Sequence, residues 1–176
     1  MTLLRPACPL FVHNLGARLN LSFSPIVGAV PIGSFGEEHA KQLTAAFSTP
    51  PPTFEPVPII QNPSVFAENR LFMPLAHKYL KHNIHTCPVF AALAAIEDKS
   101  PFFHIFDLRC PPPPSRIPQV EDILGTVTVE NGQIVPLSYE ANPMYRPVTT
   151  FGAITVSKEM AGGLRETAEA AATAAA

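Results

Sequence analysis

The sequence is short of charged residues. Only 15% of its 176 residues are Asp, Glu, Lys or Arg, against about 25% in an average soluble domain. Soluble monomers normally carry more charge on their surface, so we expect part of this surface to be covered by a protein partner or by another copy of the chain. Stiff proline loops are an alternative explanation, because 21 residues are proline.

Concentrated charge and long apolar runs are also missing. Twelve basic and fourteen acidic residues are mixed along the chain, and the formal net charge is −2. Nucleic-acid binding by counterion release needs a concentrated cationic surface, so we expect no nucleic-acid partner. No run of about 18 apolar residues occurs, and we therefore expect no transmembrane segment.

Cysteine is scarce, and its positions exclude two classes of small domain. Cys8, Cys87 and Cys110 are odd in number and far apart, unlike a disulfide framework or paired Cys-x-x-Cys zinc knuckles. This favours an intracellular location, with the cytoplasm preferred. Organelle import stays open, because the first acidic residue is Glu37 and the preceding segment contains Arg5 and Arg18.

The length is suited to one domain with a single core, which we assign to residues 1–176. Two proline-rich stretches, 48–58 and 110–118, are predicted to be extended connectors. An alanine-rich tail, 168–176, is expected to fray at the end of the last helix.

The first part of the chain predicts two short strands followed by a helix. Alternating residues favour strands at 9–13 and 19–23. Ser34 and Glu37 have the spacing of a capping box, which predicts a helix from Ser34 to Phe47.

The middle of the chain is predicted to be helical. One helix is expected over 74–86, with an apolar stripe that includes Leu80 and Ile84. Pro88 ends it and begins a second helix that is apolar on nearly every side, which is typical of a buried helix.

The last part is predicted to form strands. Residues 102–109 are one candidate, and Asn131-Gly132 predicts a β-hairpin within 123–139. Two further short strands are expected to turn near Gly152, and Ser157 is expected to cap a final helix. Hairpins rather than crossover helices predict an α+β fold with a mostly antiparallel sheet and three to four helices.

The densest group of ionisable residues is HKYLKHNIHTC, residues 77–87. His82 and His85 have helical i, i+3 spacing and are weak candidates for a metal site, but Lys78 and Lys81 share their side of the helix and would repel a divalent ion. We therefore interpret this surface as a solvated basic face and predict no metal site. An acid-sensitive contact is an open alternative, because the three histidines gain charge below neutral pH.

Two other patterns resemble catalytic motifs without completing them. Gly28 and Gly33 have phosphate-loop spacing, but the required lysine is absent. His104 and Asp107 are three apart in a predicted strand and would face opposite sides, whereas Asp107 and Arg109 would share one side as an ion pair or polar edge. Cys87, at the start of a buried helix, is interpreted as structural.

Binding residues are most plausible in two loops. SYEANPMYRP gathers Tyr139, Glu140, Asn142, Tyr145 and Arg146, and binding residues often lie on loops. Pro111, Pro114 and Arg116 fit a Pro-x-x-Pro-x-Arg docking peptide, although a stiff connector explains the same residues.

These observations favour a non-catalytic interaction or assembly protein that binds a protein partner or forms a homo-oligomer, without a cofactor. The alternative is a small cofactor-free enzyme or ligand-binding domain. Its pocket would be formed by Tyr139, Tyr145 and Arg146, with His104, Tyr145 and Arg146 as the catalytic candidates.

Overall fold

The computed structural model describes residues 10–37, 62–96, 100–113 and 116–174. Three complete α-helices and several antiparallel sheets lie within these ranges, which confirms the predicted α+β class. The helices are α1 (Phe72–Asn83), α2 (Pro88–Ile96) and α3 (Lys158–Ala174). The strands are β1 (Phe11–Asn14), β2 (Arg18–Ser22), β3 (Gly33–Gly36), β4 (Phe66–Glu68), β5 (Phe102–Phe106), β6 (Ile123–Glu130), β7 (Gln133–Ile134), β8 (Glu140–Ala141), β9 (Val148–Thr149) and β10 (Gly152–Ala153).

The first sheet is a four-stranded antiparallel sheet in the order β1-β2-β3-β4. The alternation in β2 buries Leu19 and Leu21, as expected for a strand with one face on the core. The capping-box prediction at Ser34 is wrong, because Ser34 lies within β3 and pairs with Asn20 and Ala67. Strand pairing on both sides takes precedence over the local helix signal, and residues 38–47 of the predicted helix lie outside the described ranges.

The middle block folds as the periodicity predicts. Helix α1 is followed by a 3-10 turn at Ile84–Thr86, and Pro88 begins α2. Leu80 and Ile84 on the apolar stripe are almost fully buried. Phe90 of α2 has no exposed surface and packs edge-on against Phe106 of β5, so one side of α2 packs against the second sheet. The prediction that the whole helix is buried is wrong, because only Phe90 and Ala94 are buried and Ile96 is 78% exposed.

The second sheet is built around β6, which pairs with β5 on one side and with β7 and β8 on the other. The predicted hairpin between β6 and β7 is confirmed. Asn131 and Gly132 both have positive φ values, 52° and 73°, the backbone that a two-residue type I′ turn requires. The predicted pair near Gly152 is confirmed as the small β9-β10 sheet.

Helix α3 packs against α1 and closes the core. The Ser157 Oγ accepts a hydrogen bond from the Met160 N–H at 3.3 Å, which confirms the predicted cap. A Cβ added to Gly163 would overlap the Tyr79 ring, so the close approach of the two helices depends on this glycine. The helix continues through Ala174, and Ala168 at the start of the alanine-rich tail is buried.

Along the described ranges, no helix has both the length and the hydropathy needed to cross a bilayer. The proline-rich stretch 48–58 and Pro114 lie outside those ranges, as do Cys8 and Arg5. The described parts of the second proline-rich stretch, 110–113 and 116–118, contain neither helix nor strand.

Candidate functional site

The pairing of β5 with β6 brings two buried carboxylates together. Phe106 is opposite Ile123, so the residue that follows β5, Asp107, meets the residue that precedes β6, Asp122. The Asp107 N–H donates to the Asp122 carbonyl oxygen at 2.8 Å. Both aspartate side chains are at most 1% exposed, and buried carboxylates need a charge partner or hydrogen-bond donors.

Arg109 is that charge partner, and its own side chain is only 2% exposed. The Asp122 Oδ1 lies 2.8 Å from the Arg109 Nε and 2.7 Å from its Nη2. The Arg109 Nη1 lies 3.5 Å from the Asp107 Oδ2. The predicted Asp107–Arg109 ion pair is therefore present, but β5 ends at Phe106 and both residues lie in the turn after it.

Asp107 is held by three further donors. Its Oδ1 accepts hydrogen bonds from the backbone N–H groups of Arg109 and Thr155, each at 2.9 Å. Its Oδ2 accepts one from the Tyr145 hydroxyl at 2.8 Å. Burial raises the pKa of Asp107 to about 6, although Arg109 and these donors favour its ionised form.

Asp107, Arg109, Asp122 and Tyr145 form what we term the charge cluster. The Arg109 guanidinium carbon lies 5.8 Å from the centre of the Tyr145 ring, within the range of a cation–π contact. Burial raises the pKa of Tyr145 well above its usual value, so its hydroxyl stays protonated. Two carboxylates thus share one guanidinium, and the buried Asp122 Oδ2 has no hydrogen-bond partner among the described residues.

The same guanidinium connects three surface loops. Arg109 donates to the backbone carbonyl oxygens of Arg146 at 2.7 Å, Gly152 at 3.3 Å and Glu121 at 3.4 Å. A second link is the Asn142 side chain, whose Nδ2 donates to the carbonyl oxygens of Val120 and Ile123. Hydrogen bonds from a charged group are among the stronger ones, so the bonds from Arg109 hold the loops together at their bases.

Each of these loops exposes a large apolar side chain. Val120 is 56% exposed, Met144 is 60% exposed and Phe151 is 51% exposed. We call these three side chains the contact face. Arg146 is exposed on the same loop as Met144, and Ile117 is 77% exposed on the same loop as Val120.

The predicted binding loop supplies residues to this site, but its aromatic rings point inward. Tyr145 is buried in the charge cluster, whereas Tyr139 is buried elsewhere and donates its hydroxyl proton to the Leu124 carbonyl oxygen at 2.8 Å. The Arg146 side chain is exposed, and only its carbonyl oxygen is bound by Arg109. The structure therefore does not bring Tyr139, Tyr145 and Arg146 together around a described pocket, and ligand binding there stays a prediction.

The predicted histidine sites are separate. The His104 Nδ1 lies 3.0 Å from the Thr126 Oγ1, on the strand opposite, and His104 contributes nothing to the charge cluster. The His82 Nδ1 donates to the Lys78 carbonyl oxygen at 2.8 Å. His85 follows in the 3-10 turn with a buried Nδ1. Within the described ranges, no three His, Cys, Asp or Glu residues are placed to hold a metal ion.

One cavity of about 270 Å³ lies between the end of α1 and the start of α3. Cys87 lies in its wall, and the Cys87 Sγ is 3.5 Å from the Ser157 Oγ. None of the predicted binding residues lines this cavity, which is bounded by Tyr79, Leu80, Asn83, Ile84, Thr86, Cys87, Pro88, Glu159 and Met160.

The second proline-rich stretch lies in the segment between two members of the charge cluster. This segment leaves the core after Arg109 and returns at Asp122, so the Arg109–Asp122 ion pair joins its two ends. Pro111 and Arg116 are exposed, and the Arg116 N–H donates to the Pro113 carbonyl oxygen at 3.1 Å. The candidate docking residues Pro111 and Arg116 therefore lie on a loop that is anchored beside the contact face.

The sequence analysis missed Asp122 and all three side chains of the contact face. Asp122 could have been predicted, because an antiparallel pairing of 102–106 with 123–130 places a residue after the first strand beside a residue before the second.

Comparison of the chain with protein-family models, curated proteins and solved structures found no match in any of the three. A function can therefore be assigned to this chain only from its own sequence and geometry.

Proposed function

We propose that this protein is a non-catalytic assembly subunit that self-associates through the contact face. One observation carries the proposal. Three exposed apolar side chains lie on three loops that are bound at their bases to one buried guanidinium. Scattered exposed apolar residues are ordinary on a soluble protein, but apolar side chains on loops that share one anchor are well placed to form a common contact surface.

The buried charge cluster explains how loops could form such a surface. Loops that are disordered before binding lose conformational entropy when they bind, which reduces affinity. Here the hydrogen bonds from Arg109 hold the loops in place before any contact forms. The face is thus pre-organised, and burial of Val120, Met144 and Phe151 contributes more directly to the free energy of association.

The charges near the face favour a second copy of the chain as the partner. Arg116 and Arg146 are exposed on these loops, and so is Glu140 of β8, while Glu121 is half-buried. In a twofold contact each patch meets its own copy, so a surface with both signs of charge is self-complementary, whereas a surface of one sign repels itself. The low overall charge of the chain agrees with such a contact.

Sedimentation velocity across the micromolar range tests the proposal. We expect the wild-type sedimentation coefficient to increase with concentration, and we expect Met144→Asp to stay monomeric because each contact would then bury a carboxylate. Ile26→Asp is the matched control: Ile26 is 55% exposed on the loop that follows β2, and this variant should associate like the wild type. Equal weakening by both substitutions would contradict the assignment of the face.

A further inference from the structure

We propose that the charge cluster is a proton-binding site, in which Asp107 takes up a proton in mild acid, so that the folded protein gains stability as the pH falls. The arrangement of buried charges in the cluster is the main support for this proposal. The cluster contains two carboxylates and one guanidinium, and the three side chains are each at most 2% exposed. An excess negative charge in such surroundings is costly, and uptake of one proton removes it.

The contacts of Arg109 support the same inference. Both short contacts from Arg109 are to the Asp122 Oδ1, at 2.8 Å and 2.7 Å. Its contact with the Asp107 Oδ2 is longer, 3.5 Å. Arg109 therefore pairs first with Asp122, and Asp107 is the buried carboxylate with the weaker cation contact.

Within the described ranges, the ionisable residues that contact the two aspartates or their guanidinium are on neighbouring segments. Arg109 and Tyr145 contact the aspartates directly. Glu121 and Arg146 lie on the adjoining loops and contact the guanidinium through backbone carbonyl oxygens. The raised pKa of Asp107, about 6, agrees with proton uptake in this range.

The direction of the effect follows from proton linkage. The folded chain holds a proton on Asp107 at a pH where the same residue in the unfolded chain has lost it, so the folded state gains stability as pH falls through about 6. This gain is complete below the unfolded value and is lost as pH rises. The cluster thus differs from an ordinary surface ion pair, which acid weakens.

Carboxyl carbon NMR of the wild-type protein tests the proposal without any substitution. We expect the Asp107 carboxyl signal to titrate with a midpoint near 6 while the protein stays folded. Tyr145→Phe keeps the ring and removes one donor to Asp107, so it should move this midpoint upward. If the Asp107 carboxyl group stays ionised down to the pH of an ordinary aspartate, the proposal is wrong.

A stability measurement gives an independent readout. For a single group with the pKa of Asp107, the folding equilibrium constant should increase about tenfold between about pH 7.5 and about pH 5, relative to Asp107→Asn. The same pH dependence in both proteins would overturn the proposal. The proposal does not depend on self-association: if the chain is monomeric while the NMR midpoint is present, the proton site stands and the proposed function fails.

Discussion

The segment 77–87 and the charge cluster are two ways of placing ionisable residues. The segment contains three histidines and two lysines within eleven positions, yet Lys78, Lys81 and His82 are exposed. The charge cluster is assembled from residues up to 38 positions apart, such as Asp107 and Tyr145, and is almost fully buried. Local density of charge therefore marks a solvated helix face here, while the polar centre of the molecule is formed by strand pairing.

The largest expected effect on stability comes from removing one positive charge from each of these two regions and comparing the results. Arg109→Met leaves two buried carboxylates without a cation, so we expect the free energy of unfolding to decrease by about 3–5 kcal/mol. Lys81→Met, on the exposed helix face, should change it by less than about 0.5 kcal/mol. Chemical denaturation of both variants at neutral pH measures the difference. Similar small effects from both substitutions would mean that the cluster contributes no more than a surface charge.

A second comparison concerns two neighbouring glycines of α3, one of which faces α1. Gly162→Ala has open space around the added Cβ, so we expect a gain of about 0.5–1 kcal/mol from helix propensity. Gly163→Ala would force the Tyr79 ring to move, and we expect a loss of about 1–3 kcal/mol from overpacking. Thermal or denaturant unfolding of the two neighbouring variants tests whether Tyr79 is a fixed contact. Equal stabilisation by both would show that it is not.

The smallest expected loss of stability comes from His77, whose ring contacts that of Tyr139. The Tyr139 hydroxyl donates to Leu124, so the His77 Nδ1–H donates to the Tyr139 oxygen at 2.9 Å. His77→Gln should lower the free energy of unfolding by about 1 kcal/mol, and the exposed control His82→Gln should have almost no effect. Denaturation at neutral pH distinguishes them, and equal losses would contradict the assignment.

His77 also has a pH dependence opposite in sign to that of the charge cluster. Burial lowers its pKa below the ordinary value of 6.5, so the unfolded chain binds a proton first as pH falls. Stability from neutral His77 is therefore lost in acid, whereas protonation of the charge cluster adds stability. Comparison of His77→Gln with Asp107→Asn over the same pH range should show slopes that differ from the wild type in opposite directions.

Much of the fold could be predicted because its signals are local. The Asn131-Gly132 turn, the apolar stripe of α1 and the Ser157 cap each depend on residues a few positions apart. The prediction at Ser34 failed because the pairing of β3 with two neighbouring strands is not a local property. A capping box is a weak signal when both neighbouring strands are available.

The candidate site was less predictable for the same reason. The sequence identified the Asp107–Arg109 pair and drew attention to Tyr145, but it gave no reason to connect them with Asp122. That connection depends on the register of β5 with β6. The contact face is harder still to predict, because the exposure of Val120, Met144 and Phe151 depends on where three loops meet.

Methyl NMR of the wild-type protein at increasing concentration gives a direct test of self-association through the contact face. If the contact face mediates self-association, the Met144 methyl signal should shift or broaden with concentration, while that of Met160, which is buried in the core, should stay unchanged. A Met144 signal that remains constant throughout the micromolar range, with a particle of single-subunit mass, would contradict the account.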